Sequence, residues 1–303
     1  MAGAGRSSAT LDWLGCATFR FTLDDLVVLL DAYVDRVPAA PPVGITTADV
    51  DRADWIVVGH SHFDHLWGAE KIAAATGATI IGSHETVRVM ESQGVPLDRL
   101  LAVSGGERVR LSPAVTVSVF PSQHSCVWSQ RQMLPAHEVC VGDLGVTYQE
   151  QQERMVALAD WLGTLDDDVR AHLVDSYQGP RGDGGALVFL FETPEGSLFY
   201  QDTSGHWSGI LRDLRPDVAI LAAAGRGNVD GEPVQGSLAG FVARQADLLR
   251  PRRVVLSHHD DWLPGFSIPL DTGPVRAELA RQAPRRELVE MGYLEGYPVF
   301  KGL

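Results

Sequence analysis

The sequence has few cysteines, no long apolar run and no recognisable secretion signal. Its 303 residues include three cysteines, Cys16, Cys126 and Cys140, and their spacing matches neither a thiol redox motif nor a cysteine zinc site. An odd, sparse set argues against a disulfide framework and is typical of a reducing compartment. No apolar run approaches the roughly 18 residues that span a bilayer. We therefore expect a cytoplasmic protein.

Positive charge is also scarce. The chain has 25 Lys and Arg against 39 Asp and Glu, which gives a net charge of −14. Such a surface repels phosphate backbones and anionic lipids, so we expect neither a nucleic-acid partner nor a membrane partner. A hydrophobic content of 45% is ample for a buried core. These properties favour a globular protein that acts on a small-molecule substrate.

Short apolar runs rich in β-branched and aromatic residues recur in both halves of the sequence. Examples are LVVLLDAYV, DWIVVGHSH and AVTVSVFPS in the first half, and GALVFLFE, SLFYQD and VAILAAAG in the second. This pattern predicts strands, two of them joined as a hairpin through TPEG. Helical patterns alternate with the strands, so the fold class is α/β or α+β. We expect a single domain over residues 1–303.

Residues 125–183 differ from the rest of the chain because they contain few strand-like runs. A helix is predicted over Tyr148–Leu162, with Thr147 and Glu150 forming a capping box at its start. The acidic residues 166–168 are predicted to form a solvated turn. We interpret the segment as a helical insertion that either forms an apolar lid over the site or packs onto the main body. The apolar residues concerned are Trp128, Met133, Leu134 and Trp161.

The stretch GHSHFDHLWG concentrates metal-binding side chains: His60, His62, Asp64 and His65. Imidazole and carboxylate are the nitrogen and oxygen ligands that zinc and its neighbours prefer. In an extended segment, residues two apart point the same way, so His60 and His62 can reach one ion together. Asp64 and His65 follow the strand and can reach a second ion. The spacing therefore predicts two adjacent metals.

GHSHFDHLWG resembles the H-x-H-x-D-H motif of the metallo-β-lactamase superfamily. The other ligand positions of that family occur in the same order along residues 10–265. FPSQHS supplies His124, LFYQDTSG supplies Asp202, and RVVLSHHDD supplies His258. The resemblance implies a four-layer αββα fold and a dinuclear metal-dependent hydrolase.

Within the superfamily, the sequence is similar to the branch that contains ascorbate-6-phosphate lactonase and the N-acylphosphatidylethanolamine phospholipases. Two positions depart from that branch, with Cys16 where a histidine often stands and Gln201 where a glycine is usual. His258 and His259 are adjacent, so only one of them is expected to be a ligand. The family's loop resembles H-x-D-D, which favours His258.

The resemblance also implies roles for individual residues. A hydroxide that bridges two divalent metals would attack an ester, lactone or phosphodiester bond of a small molecule. Zinc is expected, with manganese or iron as alternatives. The first metal is assigned to His60, His62 and His124, the second to Asp64, His65 and His258, and the bridging position to Asp202.

Three further groups are candidates for catalysis and substrate binding. Asp64 is expected to orient the nucleophilic water. His206 is a candidate proton donor to the leaving group, unless it is only a residue at a helix N-terminus without a catalytic role. Arg226 and Asn228 lie in the glycine-rich loop 222–233 and are candidates for binding a polar substrate group, although an ordinary turn explains that loop equally well. Two alternatives stay open: a di-iron redox enzyme of the same fold, and a metal-binding protein without turnover.

Overall fold

Two seven-stranded sheets form the centre of the molecule. The computed structural model describes residues 9–129, 133–139, 142–179 and 185–303. The first sheet has the strand order β17-β1-β2-β3-β4-β5-β6. Its strands are β1 (Thr10–Trp13), β2 (Phe19–Leu23), β3 (Leu26–Leu30), β4 (Trp55–Val57), β5 (Thr79–Gly82), β6 (Leu100–Ala102) and β17 (Tyr297–Pro298).

The second sheet has the order β16-β15-β12-β10-β9-β8-β7. Its strands are β7 (Arg108–Arg110), β8 (Thr116–Pro121), β9 (Leu187–Glu192), β10 (Ser197–Tyr200), β12 (Val218–Ala222), β15 (Arg253–Ser257) and β16 (Glu287–Val289). Strands β9 and β10 pair antiparallel, which confirms the predicted hairpin. A small third sheet contains β11 (Gly205–His206), β13 (Asn228–Val229) and β14 (Glu232–Pro233).

Helices cover the outer faces of both sheets. Helices α1 (Phe63–Leu66), α2 (Ala69–Thr76) and α3 (His84–Ser92) follow strands of the first sheet. Helices α6 (Ser208–Leu211) and α7 (Leu238–Leu249) follow strands of the small third sheet, and α8 (Gly273–Gln282) follows β15 of the second. The remaining α-helices of the described residues, α4 (Tyr148–Leu162) and α5 (Asp167–Asp175), lie between β8 and β9 in the chain. Short 3-10 helices occur at Thr47–Asp49 and Leu97–Arg99.

Apolar packing divides these elements into four layers. Between the sheets, Phe21 of β2 packs against Phe191 of β9 with ring centroids 6.0 Å apart. Outside the first sheet, Ile72 of α2 is buried in a second cluster. Outside the second sheet, Phe241 of α7 is buried in a third. In central strands such as β3 and β12 every residue is buried, because the other sheet covers one face and helices cover the other, as an αββα arrangement requires. The predicted fold class is confirmed.

The insertion segment contains one confirmed element and one correction. Helix α4 has the predicted bounds, and Thr147 and Glu150 form the predicted capping box. The predicted solvated turn at residues 166–168 is wrong, because helix α5 begins at Asp167. Acidic side chains in a first helical turn are stabilised by the helix dipole, so the acidic run begins a helix there. The interpretation of residues 125–183 as an inserted unit stays a prediction, and residues 130–132, 140–141 and 180–183 of it lie outside the described residues.

The strand ends bring the candidate ligands to one edge of the fold. Strands β10, β12 and β15 are parallel, and β8 runs in the same direction because β9 is antiparallel to both β8 and β10. His124, Asp202 and His258 therefore all follow the carboxyl ends of strands in the second sheet. His60 follows β4 of the first sheet. Among the described residues, we find no helix of the length and apolarity needed to cross a membrane.

Candidate metal centre

The loop after β4 depends on close backbone contacts. The amide of Gly59 donates to Oδ1 of Asp31 at 2.9 Å, and its carbonyl accepts from the amide of Leu187 at 2.8 Å. A Cβ atom at position 59 would lie 2.0 Å from Oδ2 of Asp202, which is closer than nonbonded atoms can approach. Glycine therefore allows the loop and the Asp202 carboxylate to lie side by side.

Three histidines form the first group of ligands. His60, His62 and His124 each place a ring nitrogen within 4.8 Å of the other two. The Nε2 atoms of His60 and His124 are 3.0 Å apart, and the ring centroids of His62 and His124 are 4.6 Å apart. Two ring nitrogens aimed at each other at this distance need a proton or a cation between them. The predicted first set of ligands is thus brought together.

A second group forms around the carboxylate of Asp64. The Nε2 atoms of His65 and His258 lie 3.3 and 3.2 Å from Oδ2 of Asp64. Cys16, buried beside them, places its Sγ within 4.8 Å of the nearest donor atoms of Asp64 and His258. The structure therefore brings Asp64, His65 and His258 together, and it adds a thiol that the motif comparison treated only as a departure.

Asp202 lies between the two groups. Its Oδ2 atom lies 2.6 Å from Nδ1 of His60 and 3.4 Å from Nδ1 of His65. Its Oδ1 atom is buried and makes no hydrogen bond. A buried carboxylate oxygen without a donor is costly. The Asp202 carboxylate therefore lies between the two groups with one oxygen that makes no hydrogen bond, as expected of a carboxylate that binds a cation.

Three carboxyl groups in this buried region shape its electrostatics. Burial and repulsion from Asp202 raise the pKa of Asp31 to about 6, and burial raises the pKa of Asp202 as well. Burial also opposes ionisation of Asp64, but the imidazoles of His65 and His258 outweigh it and hold the pKa of Asp64 well below its usual range. Several buried acids and imidazoles with close donor atoms fit divalent cations, which would relieve this repulsion.

Asp31 is a functional candidate that the sequence analysis missed. Its Oδ2 atom lies 2.6 Å from Nδ1 of His65, so the carboxylate fixes the ring and leaves Nε2 directed at Asp64. A carboxylate that orients a ligand histidine is a recurring feature of metal sites. The local signal was an aspartate directly after the buried strand LVVLL, but its partner lies 34 positions away in the sequence.

Asp260 is a second missed residue, and it holds the turn around Cys16. Its carboxylate accepts from the amide of Cys16 at 3.1 Å, from Arg36 at 2.7 Å and from the Tyr293 hydroxyl at 2.7 Å. The Arg36–Asp260 ion pair is buried. The sequence signal was the acidic pair after the histidines in SHHDDW.

The two adjacent histidines have different surroundings. His258 has a left-handed backbone, with φ of 60°, and its ring points to Asp64. The ring of His259 instead stacks on Trp13, with centroids 4.4 Å apart and an angle of 6° between the planes. This arrangement favours His258 as the ligand.

An apolar cavity of about 200 Å³, here called the inner cavity, lies directly over the candidate ligands. Its wall includes Arg226, a predicted substrate residue, and the rings of Trp262 and Phe266. The wall also includes five of the candidate ligands. These are His62, Asp64, His65, His124 and His258.

Of the residues predicted to bind substrate or donate a proton, Asn228 and His206 lie outside the wall of this cavity. Asn228 donates through Nδ2 to the carbonyl of His124 at 2.8 Å, so it holds the His124 loop. His206 is buried in β11, with its ring 5.3 Å from that of Phe241. Burial lowers the pKa of His206 to about 4, and its Nδ1 atom makes no hydrogen bond. Neither side chain reaches the inner cavity directly.

Part of the chain is similar to known proteins in sequence. Residues 27–173 match the profile of the Beta-lactamase superfamily domain. A UPF0173 metal-dependent hydrolase from Roseiflexus castenholzii is 31% identical over 135 residues, which cover 44% of this chain and 54% of that relative. The chain spans about half the length of the curated relatives it matches.

Solved structures match over nearly the whole chain. Igni18, a metallo hydrolase from the archaeon Ignicoccus hospitalis, superimposes with a TM-score of 0.60 at 16% identity and covers 97% of both chains. CmlA, a diiron β-hydroxylase from Streptomyces venezuelae, gives a TM-score of 0.51 at 15% identity over 94% of this chain and 53% of its own. At such identities the likeness concerns the fold alone. Residues 27–173 are therefore similar to the Beta-lactamase superfamily domain, and the four-layer fold is shared with these solved structures.

Proposed function

We propose that the protein is a metal-dependent hydrolase that holds two divalent cations and cleaves an ester, lactone or phosphodiester bond of a small molecule. One observation carries the proposal: seven side chains with nitrogen and oxygen donors converge at one edge of the two sheets, beneath a cavity. They are His60, His62, Asp64, His65, His124, Asp202 and His258.

The donor atoms divide between two cations. His60, His62 and His124 would hold the first, and Asp202 would lie between it and the second. The second would be held by the remaining donors, which are Asp64, His65 and His258. Divalent cations in such a site supply Lewis acidity and lower the pKa of water. Zinc is the metal that this mixture of imidazole and carboxylate favours, and manganese and iron are alternatives.

The protein's own side chains orient a ligand histidine and the attacking water, bind the substrate and cover the site. Asp31 fixes the ring of His65 through Nδ1, which keeps the facing nitrogen available as a donor. Asp64 has a carboxylate at the cavity wall and would orient the attacking water by accepting its proton in a hydrogen bond. Arg226 is placed to bind a polar atom of the substrate, and Trp262 covers the site with an apolar ring.

For His206 we propose a structural role instead of proton donation to the leaving group. Its ring packs on Phe241, away from the cavity wall. A general acid must come within hydrogen-bond reach of the leaving group, directly or through one water. A buried imidazole whose pKa is lowered to about 4 is also unprotonated near neutral pH. Asn228, likewise, positions the His124 loop.

The decisive experiment is metal content per chain, measured by element-resolved mass spectrometry on untagged protein purified without chelator. We expect about two zinc or manganese ions per chain. Their removal should abolish cleavage of a panel of esters, lactones and phosphodiesters, and their return should restore it. Asp64→Ala should lose more than about 100-fold in kcat/KM, because it removes a ligand and not only an outer contact. His84→Ala, at an exposed histidine outside the cluster, is the matched control.

Each other outcome decides against a part of the proposal. Two irons per chain with an oxygen-dependent reaction would favour a di-iron redox enzyme. Fully metallated protein without turnover on the panel would favour a metal-binding protein that has no hydrolase activity. Protein that takes up no metal on reconstitution would contradict the site itself.

A further inference from the structure

A second cavity adjoins the inner one. This outer cavity, of about 640 Å³, lies between helix α4 and residues 265–268. Met133, Leu158 and Phe266 line both cavities. Because the two share these walls, a molecule with its reacting group at the candidate ligands can extend past Leu158 and Phe266 into the outer cavity.

Helix α4 presents an apolar stripe to this space. Met155, Leu158 and Leu162 recur at helical spacing and line the inner cavity, and Ala157 and Trp161 line the outer one. No residue described in α4 is fully buried. A helix of this length is marginal in water and takes most of its stability from burying its apolar face. The stripe therefore covers empty space that an apolar molecule would fill.

The outer cavity is also suited to an uncharged occupant. Trp161 and Phe266 pack against each other in its wall with ring centroids 6.1 Å apart, and Ile268 adds an aliphatic side chain. The cationic side chain there, Arg154, lies 3.0 Å from the carboxylate of Asp143, which neutralises it. Pockets of this size and composition take aliphatic or aromatic groups, and a few polar atoms fix their orientation.

We propose that the substrate carries an extended, uncharged aliphatic or aryl arm that lies in the outer cavity, between α4 and residues 265–268. The bond to be cleaved lies in the inner cavity, so this inference rests on the proposed function. Binding of the arm removes apolar surface of Leu158, Trp161 and Phe266 from water. The arm also completes the packing of α4 onto the main body.

The first test is a homologous series of nitrophenyl esters, from acetate to decanoate, with the metal-loaded full chain. We expect kcat/KM to rise about fourfold for each added methylene until the outer cavity is filled. Ala157→Trp places an indole inside the outer cavity and should lower kcat/KM for decanoate by at least about tenfold. It should leave the acetate ester within about twofold of the unmodified protein.

The matched control adds the same ring outside the cavity. Val156 is on the same helix, is 62% exposed and lines neither cavity. Val156→Trp should therefore reproduce the chain-length dependence of the unmodified protein. Equal losses of kcat/KM for long esters in both variants would show that a tryptophan on α4 acts by disturbing the helix and not by filling the cavity. The inference would then be overturned.

A second measurement separates this inference from the proposed function. Binding of hexanol, octanol and decanol to the metal-loaded protein is measured by calorimetry and needs no turnover. We expect affinity to rise about fourfold per methylene. This rise should vanish in Ala157→Trp and persist in Val156→Trp. Chain-length-dependent binding without cleavage of any tested bond would support the inference and overturn the proposed bond types. Cleavage with no dependence on chain length, and no alcohol binding, would overturn the inference and leave the hydrolase standing.

Discussion

The amide of His258 donates to the carbonyl of Cys16 at 2.7 Å, and both residues have left-handed backbones, with φ of 60° and 48°. Such angles are uncommon outside glycine and persist where surrounding contacts require them. Here Asp260 accepts from the amide of Cys16 and closes the turn from the other side. The two strained residues therefore fix each other and direct the ring of His258 to Asp64.

The geometry of this turn predicts different effects of replacing the two adjacent histidines. His258→Ala should lower metal content from about two ions per chain to about one, because it removes a donor of the second group. His259→Ala should keep both ions and lose about 1 kcal/mol of unfolding free energy, since it removes a stacked ring from Trp13. Elemental analysis and urea denaturation measure the two effects. The reverse pattern would assign the ligand to His259.

Close packing at Gly59 predicts that a single methyl group disrupts the centre. Gly59→Ala should displace the Asp202 carboxylate, which a Cβ atom would approach to 2.0 Å. We expect loss of metal and destabilisation of about 1–3 kcal/mol. Gly209→Ala is the control, since its nearest atom would be a flexible Arg212 nitrogen at 3.9 Å. Unchanged metal content in Gly59→Ala would mean that metal binding does not require the Asp202 carboxylate at its position in the structure.

The Asp31–His65 contact predicts an effect on metal affinity without loss of a ligand. Asp31→Asn keeps the shape of the side chain but removes the charge that orients the His65 ring at 2.6 Å. We expect metal affinity to fall about 10- to 100-fold, as measured by competition with a chelating dye. The control Asp98→Asn, at an exposed position, should bind metal with the affinity of the unmodified protein. An affinity equal to that of this control would exclude Asp31 from the centre.

Burial of His206 predicts a pH dependence of stability. Its pKa is about 4 in the folded protein and about 6.5 in an unfolded chain. As pH falls from about 6.5 towards 4, the unfolded chain binds a proton that the folded protein does not, so the free energy of unfolding decreases, by up to roughly 3 kcal/mol. His206→Gln should remove this part of the change in unfolding free energy with pH, and His84→Gln should not.

Urea denaturation at several pH values measures that slope. If His206→Gln and the unmodified protein show parallel curves but the variant has lost turnover at neutral pH, the structural role proposed for His206 is wrong. The original interpretation as a proton donor would then be restored.

Local features were predictable because they depend on neighbours in the sequence. The capping box of Thr147 and Glu150 set the start of α4, and the hairpin through TPEG was recognisable from its turn. The acidic run at residues 166–168 was misjudged because a turn and a helix start favour the same side chains. Asp31 and Asp260 were missed, since each acts on a residue distant in the chain.

The sequence by itself determined the class of the fold and the identity of the candidate ligands. Strand and helix patterns have short periods, and the H-x-H-x-D-H spacing places four donors within one loop. Only the tertiary structure decided the direction of the His258 ring, the burial of His206 and the position of Asn228 on the His124 loop. It also decided that α4 lies over an apolar cavity. These features depend on contacts between segments far apart in the chain, whose packing no local pattern specifies.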